Sequence, residues 1–243
     1  YYHRLNAEKV NSFINISVPL TLIVIPIIFV LSQPDLGTSI LIATSGLIIL
    51  WLGGVKIKYF FVSFFAFLIS LPFIITYLEP YQKLRILTFL DPDRDPLGAG
   101  YQIIQSKIAI GSGGLSGKGF LQGTQSYLDF LPEKHTDFIF TLFSEEFGFI
   151  GSVGLLLLYT IIIIRIIQIG AISRSSFARM FCFGFAFAIF IYITVNLSMV
   201  LGLLPIVGSP LPIMSYGGSS MLATMIGFGI VLSAKVHSQQ TIA

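Results

Sequence analysis

Charge is what this sequence has least of. Only 10% of its 243 residues are Asp, Glu, Lys or Arg, whereas 55% are hydrophobic and the mean hydropathy is +0.89. Soluble domains run at roughly 25% charged and 45–50% apolar, so a water-soluble globule is excluded and a bilayer is the expected solvent. Cysteine is almost absent: Cys182 stands alone in the apolar run RMFCFGFAF, which rules out an intrachain disulfide. Histidine is scarce as well. His3, His135 and His237 are too scattered to read as a ligand cluster, and no zinc site is expected. The first residues, YYHRLNAEKV, lack the order of a signal peptide and begin with Tyr, so a missing upstream segment is expected. The net charge of +3 does not point to nucleic acid, because the basic residues sit at the ends of apolar runs, as orientation signals do.

What is present is hydrophobic length. A helix crosses the hydrocarbon core with about 20 apolar residues, and six stretches qualify: 14–31, 36–52, 59–78, 138–164, 177–204 and 211–234. The sequence therefore predicts an all-α, polytopic transmembrane bundle. Pro26 and Pro72 are expected to kink the first and third spans, which neighbouring helices can tolerate. Arg4 and Lys9, Lys56 and Lys58, Arg165, Arg174 and Arg179, and Lys235 all fall on one side, which the positive-inside rule makes cytoplasmic. The turn SQPDLGT, the long segment 79–136 and the turn LPIVGSPLPIMSYGGSS then share the outer side.

The segment 79–136 reads as an extracytoplasmic loop with structure of its own. Asp-Pro pairs punctuate its first part. Ile103, Ile104, Ile108 and Ala109 recur at helical spacing, which predicts an amphipathic helix over 101–110 lying at the bilayer surface. The run GSGGLSGKG after it is not a phosphate-cradling P-loop, since Ser112 and Gly119 stand where that pattern needs Gly and Ser or Thr. It reads as a Gly-rich turn whose backbone can approach a ligand closely, including a lipid diphosphate.

The stretch LPEKHTDFIF places Asp137 at the expected first turn of the fourth span. An acid there caps a helix and complements its dipole. The same position suits a general base facing water, and the two roles are compatible. Two helical turns deeper, roughly 12 Å at 1.5 Å per residue, lie Glu145 and Glu146. Intramembrane carboxylates face a bundle interior, pair with a cation or mark a functional path; Glu145 falls nearer the Asp137 face. Asp35, after Pro34 and before the second span, reads as an N-cap or turn residue, or as a polar lining of the outer cavity. Lys83, Arg85, Arg94, Lys107, Lys118 and Lys134 are the cations expected on that side, available to phosphate or to lipid headgroups.

The stretches QPDLGTSIL, RILTFLDPDRDPLGAGYQIIQSKIAIGSGGLSGKGF, FLPEKHTDFIFTLFSEEFGFIGS and LPIVGSPLPIMSYGGSSML together resemble the SEDS family of shape, elongation, division and sporulation proteins. Within it, VGSPLPIMSYGG is similar to the rod-shape branch; division members carry Lys-Gly where this chain has Val207-Gly208. The resemblance implies a ten-helix membrane protein of the bacterial cytoplasmic membrane, of which this chain would hold the C-terminal six helices as one domain. It implies polymerisation of lipid II into glycan strands, beside a class B penicillin-binding transpeptidase. Asp137, from the HTDF motif, would be the catalytic acid residue and Asp35 would line the cavity. Arg85 and Lys107 would meet the diphosphate, and His135 and Glu145 complete the candidate substrate-binding set. Mg²⁺ or Mn²⁺ would assist as hard cations on diphosphate oxygens, although no dedicated metal cage is visible. A transporter of lipid II would use kinked helices and buried acids equally well.

Overall fold

The structure is a computed structural model and describes residues 1–2, 10–33, 35–95, 98–127, 131, 133 and 135–239. His3, Arg4, Lys9 and Lys134 lie outside the described residues. Among the described residues the regular structure is helical: α1 Phe13–Ser32, α2 Leu36–Leu52, α3 Ile57–Tyr77, α4 Pro80–Leu90, α5 Ala99–Ser112, α6 Thr124–Tyr127, α7 Ile139–Ile172, α8 Ser176–Val200 and α9 Gly218–Val236. α1, α7, α8 and α9 are long and apolar enough to cross a membrane, and α2 and part of α3 form shorter apolar helices. The protein is a multi-pass membrane protein.

The chain forms two compact units. The first comprises Tyr1–Glu79, Arg165–Ala188 and Phe228–Ala243. Here α1 packs on α2, and Tyr2, Val10, Leu50 and Val55 form a buried cluster completed by Ile16, Ile23, Phe60 and Met180. Lys56 N donates to Asn11 Oδ1 at 2.9 Å, tying the α2–α3 turn to the residues before α1. The second unit comprises Pro80–Ile164 and Ile189–Gly227 and holds α4, α5 and α6 with parts of α7, α8 and α9.

Three boundaries differ from the hydrophobic pattern for local reasons. α7 runs eight residues past Ile164, through Arg165 to Ile172, because one charge at the end of an apolar run does not interrupt the hydrogen-bond ladder. The helix ends before Ser173, whose carbonyl accepts from Arg179 Nη2 at 3.2 Å. α9 starts at Gly218 rather than near Leu211, since Pro210 and Pro212 and the positive φ at Gly208 and Ile213 keep 201–217 out of a helix. α4, with Pro80 at its first position, was not foreseen in the segment read as turns. The predicted amphipathic helix is α5, and it buries Ile103, Ser106 and Ala109 on one face.

The departure from helical geometry in α7 is at Gly148, with φ 66° and ψ −163°. A break there removes two bonds of the i to i−4 ladder, Phe149 N to Glu145 O and Ile150 N to Glu146 O. The Gly-rich segment replaces both. Phe149 N and Ile150 N donate to Gly114 O and Leu115 O at 2.9 and 3.1 Å, while Lys118 N and Gly119 N donate to Glu145 O and Glu146 O at 3.0 Å. Four backbone groups that would each cost several kcal/mol if left unpaired in a bilayer are satisfied. The approach needs glycine at Gly117 and Gly148, both at positive φ; a Cβ on Gly117 would collide with Glu146 O. The close approach expected of this segment therefore serves α7, and its Lys118 and Gly119 N–H groups are engaged there.

Candidate active site

The HTDF motif lies in a turn just before α7. Phe138 O accepts from Thr141 N at 3.0 Å and Leu142 N at 3.3 Å, so Phe138 caps the helix and Asp137 precedes the cap. This corrects the expectation that Asp137 occupies the first turn. Asp137 is half-buried, and its Oδ2 lies 3.6 Å from where a Cβ on Gly208 would project.

Three successive carbonyls of this motif are held by residues from much later in the chain. His135 O accepts from Tyr216 N at 2.8 Å. Thr136 O accepts from Ser215 Oγ at 2.6 Å, and that hydroxyl in turn accepts from Leu211 N at 2.7 Å. Asp137 O accepts from Asn196 Nδ2 at 2.8 Å. Tyr159 OH donates to Pro212 O, fixing the same turn from α7. The segment bearing Asp137 is thus fastened to the turn between α8 and α9 at His135 and Thr136 and to α8 itself at Asp137.

The other predicted residues divide. His135 is exposed and lines a cavity of about 620 Å³ with Ile139, Met214, Tyr216 and Met221, beside the Asp137 turn. Lys107 is exposed on α5, with its Cε and Nζ packed over Gly202. The preceding residue fixes its helix: Ser106 Oγ donates to Val200 O and shares a hydrogen bond with Thr141 Oγ1, both at 2.7 Å. That ties α5 to the turn of α7 immediately after Asp137. Arg85 is exposed on α4, which packs against α5. Asp35 belongs to the first unit, where it caps α2. Its Oδ1 accepts from Thr38 N at 3.0 Å and its Oδ2 from Thr38 Oγ1 at 2.6 Å. Asp35→Ala is expected to cost about 1 kcal/mol, lowering the melting midpoint in detergent by about 2–4 °C, whereas Asp35→Ser keeps most of it.

Glu145, expected to bind substrate, is engaged within the fold. It is fully buried, and its Oε1 accepts from Lys118 Nζ at 2.7 Å, Thr124 Oγ1 at 3.1 Å and Gln125 N at 3.1 Å. It anchors the Gly-rich segment and the start of α6 to the helix break, and it is paired with a cation, as an acid inside a membrane helix should be. Among the described residues no three His, Cys, Asp or Glu side chains converge on a metal position.

Asn196, Ser215, Ser106 and Thr141 were missed in the sequence. A signal existed for Asn196, a lone amide in the apolar run of α8, where a polar group demands a partner.

A profile of the FtsW/RodA/SpoVE family, described as a cell cycle protein, matches residues 1–240. The peptidoglycan glycosyltransferase MrdB of Escherichia coli strain K12 is 50% identical over 224 residues, 92% of this chain and 60% of that protein. Among solved structures, a chain from work on structural coordination of polymerization and crosslinking by a peptidoglycan synthase complex aligns with a TM-score of 0.75 and 36% identity. It covers 93% of this chain and 63% of its own length. The crystal structure of the Thermus thermophilus rod shape determining protein RodA aligns with a TM-score of 0.59 and 28% identity, over 92% of this chain and 57% of that one. The chain spans about three-fifths of the length of the relatives it matches. With the HTDF turn and the VGSPLPIMSYGG turn fastened together and nearly every residue covered by the profile, the chain belongs to the FtsW/RodA/SpoVE family of cell cycle proteins.

Proposed function

We propose that the full-length protein is a peptidoglycan glycosyltransferase of the bacterial cytoplasmic membrane, polymerising lipid II during cell elongation with Asp137 as general base. The observation that carries this reading is the position of Asp137, a half-buried acid on a turn whose carbonyls at His135, Thr136 and Asp137 are all engaged. The names of the curated relatives, peptidoglycan glycosyltransferases, support it. In the proposed step the 4-hydroxyl oxygen of one lipid II attacks the anomeric carbon of the growing strand. The bond from that carbon to the undecaprenyl diphosphate breaks, and an α diphosphate becomes a β-1,4 linkage. Asp137 takes the hydroxyl proton as the bond forms, because a carboxylate is too weak a base to remove it beforehand.

The diphosphate leaves with its charge, and Lys107 and Arg85 are the cations assigned to meet it. Both are exposed on α5 and α4, and the Ser106 bonds give Lys107 a fixed mount relative to the start of α7. A Mg²⁺ or Mn²⁺ ion would enter with the diphosphate oxygens and neutralise them further; every step assigned above is carried by the chain's own residues. His135 is assigned to contact the sugar or its lipid, a role supported by its lining the neighbouring cavity together with Tyr216. A class B penicillin-binding protein is the proposed partner, a reading supported by the likeness to a chain of a peptidoglycan synthase complex.

Reconstitution with labelled lipid II tests the proposal. The full-length protein in liposomes, with its transpeptidase, is expected to yield glycan ladders. Redistribution of label between leaflets without ladders would instead establish the transporter reading.

A further inference from the structure

A polar side chain that holds the Asp137 carbonyl stands 59 positions away in the chain. Asn196 lies on α8 in the run FIYITVNLSMV and is fully buried. Its single amide nitrogen donates to two backbone carbonyls, Asp137 O at 2.8 Å and Ser209 O at 2.6 Å. Both acceptors lie outside helices. Thr141 N, which could close a helical bond to Asp137 O, is 3.0 Å from Phe138 O instead. The Asn196 amide therefore holds the Asp137 carbonyl, and it ties it to the carbonyl of Ser209, the neighbour of Gly208, which faces the Asp137 carboxylate. The amide oxygen Oδ1 has no hydrogen-bond partner among the described residues. Among the described residues what Asn196 contributes is donation, from a fully buried site with no water access to replace it.

We propose that Asn196 is the positioning residue for the candidate base: its two-carbonyl clamp holds the Asp137 peptide against the Gly208–Ser209 turn and so sets where the carboxylate points. The proposal rests on the reading of Asp137 given above. A carboxylate displaced by about 1 Å from a reacting hydroxyl loses on the order of a hundredfold in rate, while substrate still binds. The role also makes a chemical distinction. Asn196→Asp preserves shape but removes both donors and presents two acceptors to two carbonyls, so this near-isosteric change is not conservative.

Asn196→Leu and Asn196→Asp, made in the full-length protein with its partner, are expected to lower kcat for glycan synthesis on the order of ten- to a hundredfold with KM within about threefold. An unchanged kcat, or a raised KM at constant kcat, would overturn the proposal, as would an activity loss that merely follows loss of folded protein. A measurement independent of turnover separates this from failure of the glycosyltransferase reading. With Asp137→Cys in a Cys182→Ala background, Asn196→Leu should speed alkylation of the thiol several-fold, because the segment carrying it is no longer clamped. Equal alkylation rates would exclude the clamp whatever the protein polymerises. Altered alkylation beside absent polymerisation in the parent protein would uphold the clamp and reject the base.

Discussion

Glycan synthesis by the Asp137→Asn protein is expected to fall by about 10²- to 10⁴-fold, the range that a positioned general base contributes. The substitution is a narrow one. The bonds that hold this turn use the backbone carbonyls of His135, Thr136 and Asp137, which Asn retains. The side chain keeps its shape and loses its negative charge. The turn should stay fastened, so the protein should still fold, bind the transpeptidase and bind lipid II. Gel analysis of the glycan products against a folded, partner-bound control makes the measurement. Polymerisation at the parent rate would show that Asp137 is a structural turn residue and would return the search for a base to other groups of the same face.

The second large effect concerns stability. Glu145→Ala removes an acceptor that three donors share and leaves the Lys118 ammonium, 26% exposed, without its carboxylate. Breaking a buried ion pair from one side costs about 3–5 kcal/mol, and the partial exposure of Lys118 favours the lower end. For a protein of this size that corresponds to a fall in melting midpoint of about 6–12 °C in detergent. Replacing both partners by Met should restore much of the loss, since it removes the uncompensated charge as well as the pair. The two outcomes distinguish the roles considered for Glu145. A residue that held substrate would lose activity at parental stability, and replacing Lys118 would not help it. A residue that anchors the Gly-rich segment to the break in α7, the splice at Gly148, loses stability first and recovers with its partner.

The splice also explains why the stretch GSGGLSGKGF is glycine-rich without being a nucleotide loop. Gly113 and Gly117 lie against the backbone of α7 at Ser144–Glu146, and Gly148 supplies the matching break. A sequence reading that credits glycine with close backbone approach is right about the physics, and the backbone approached in the structure is that of α7. Nothing in the local pattern distinguishes a ligand from another segment of the same chain.

Much was legible without coordinates. Hydrophobic length marked the apolar helices, and α2 begins and ends where its apolar run does, with Asp35 capping its start and the Gly53-Gly54 turn following its end. Asp35 as a cap and the α5 helix were equally readable, each resting on bonds or periodicity within a few residues. Motif spelling identified the family. The sequence could not determine that Asp137 stands before the cap, that Glu145 faces Lys118 across 27 positions, or that Asn196 and Ser215 reach back 59 and 79 positions to the HTDF turn. Those facts depend on which donors meet which acceptors once the chain has folded. In an apolar medium each buried polar group must find a partner somewhere, but its own neighbours in sequence do not say where.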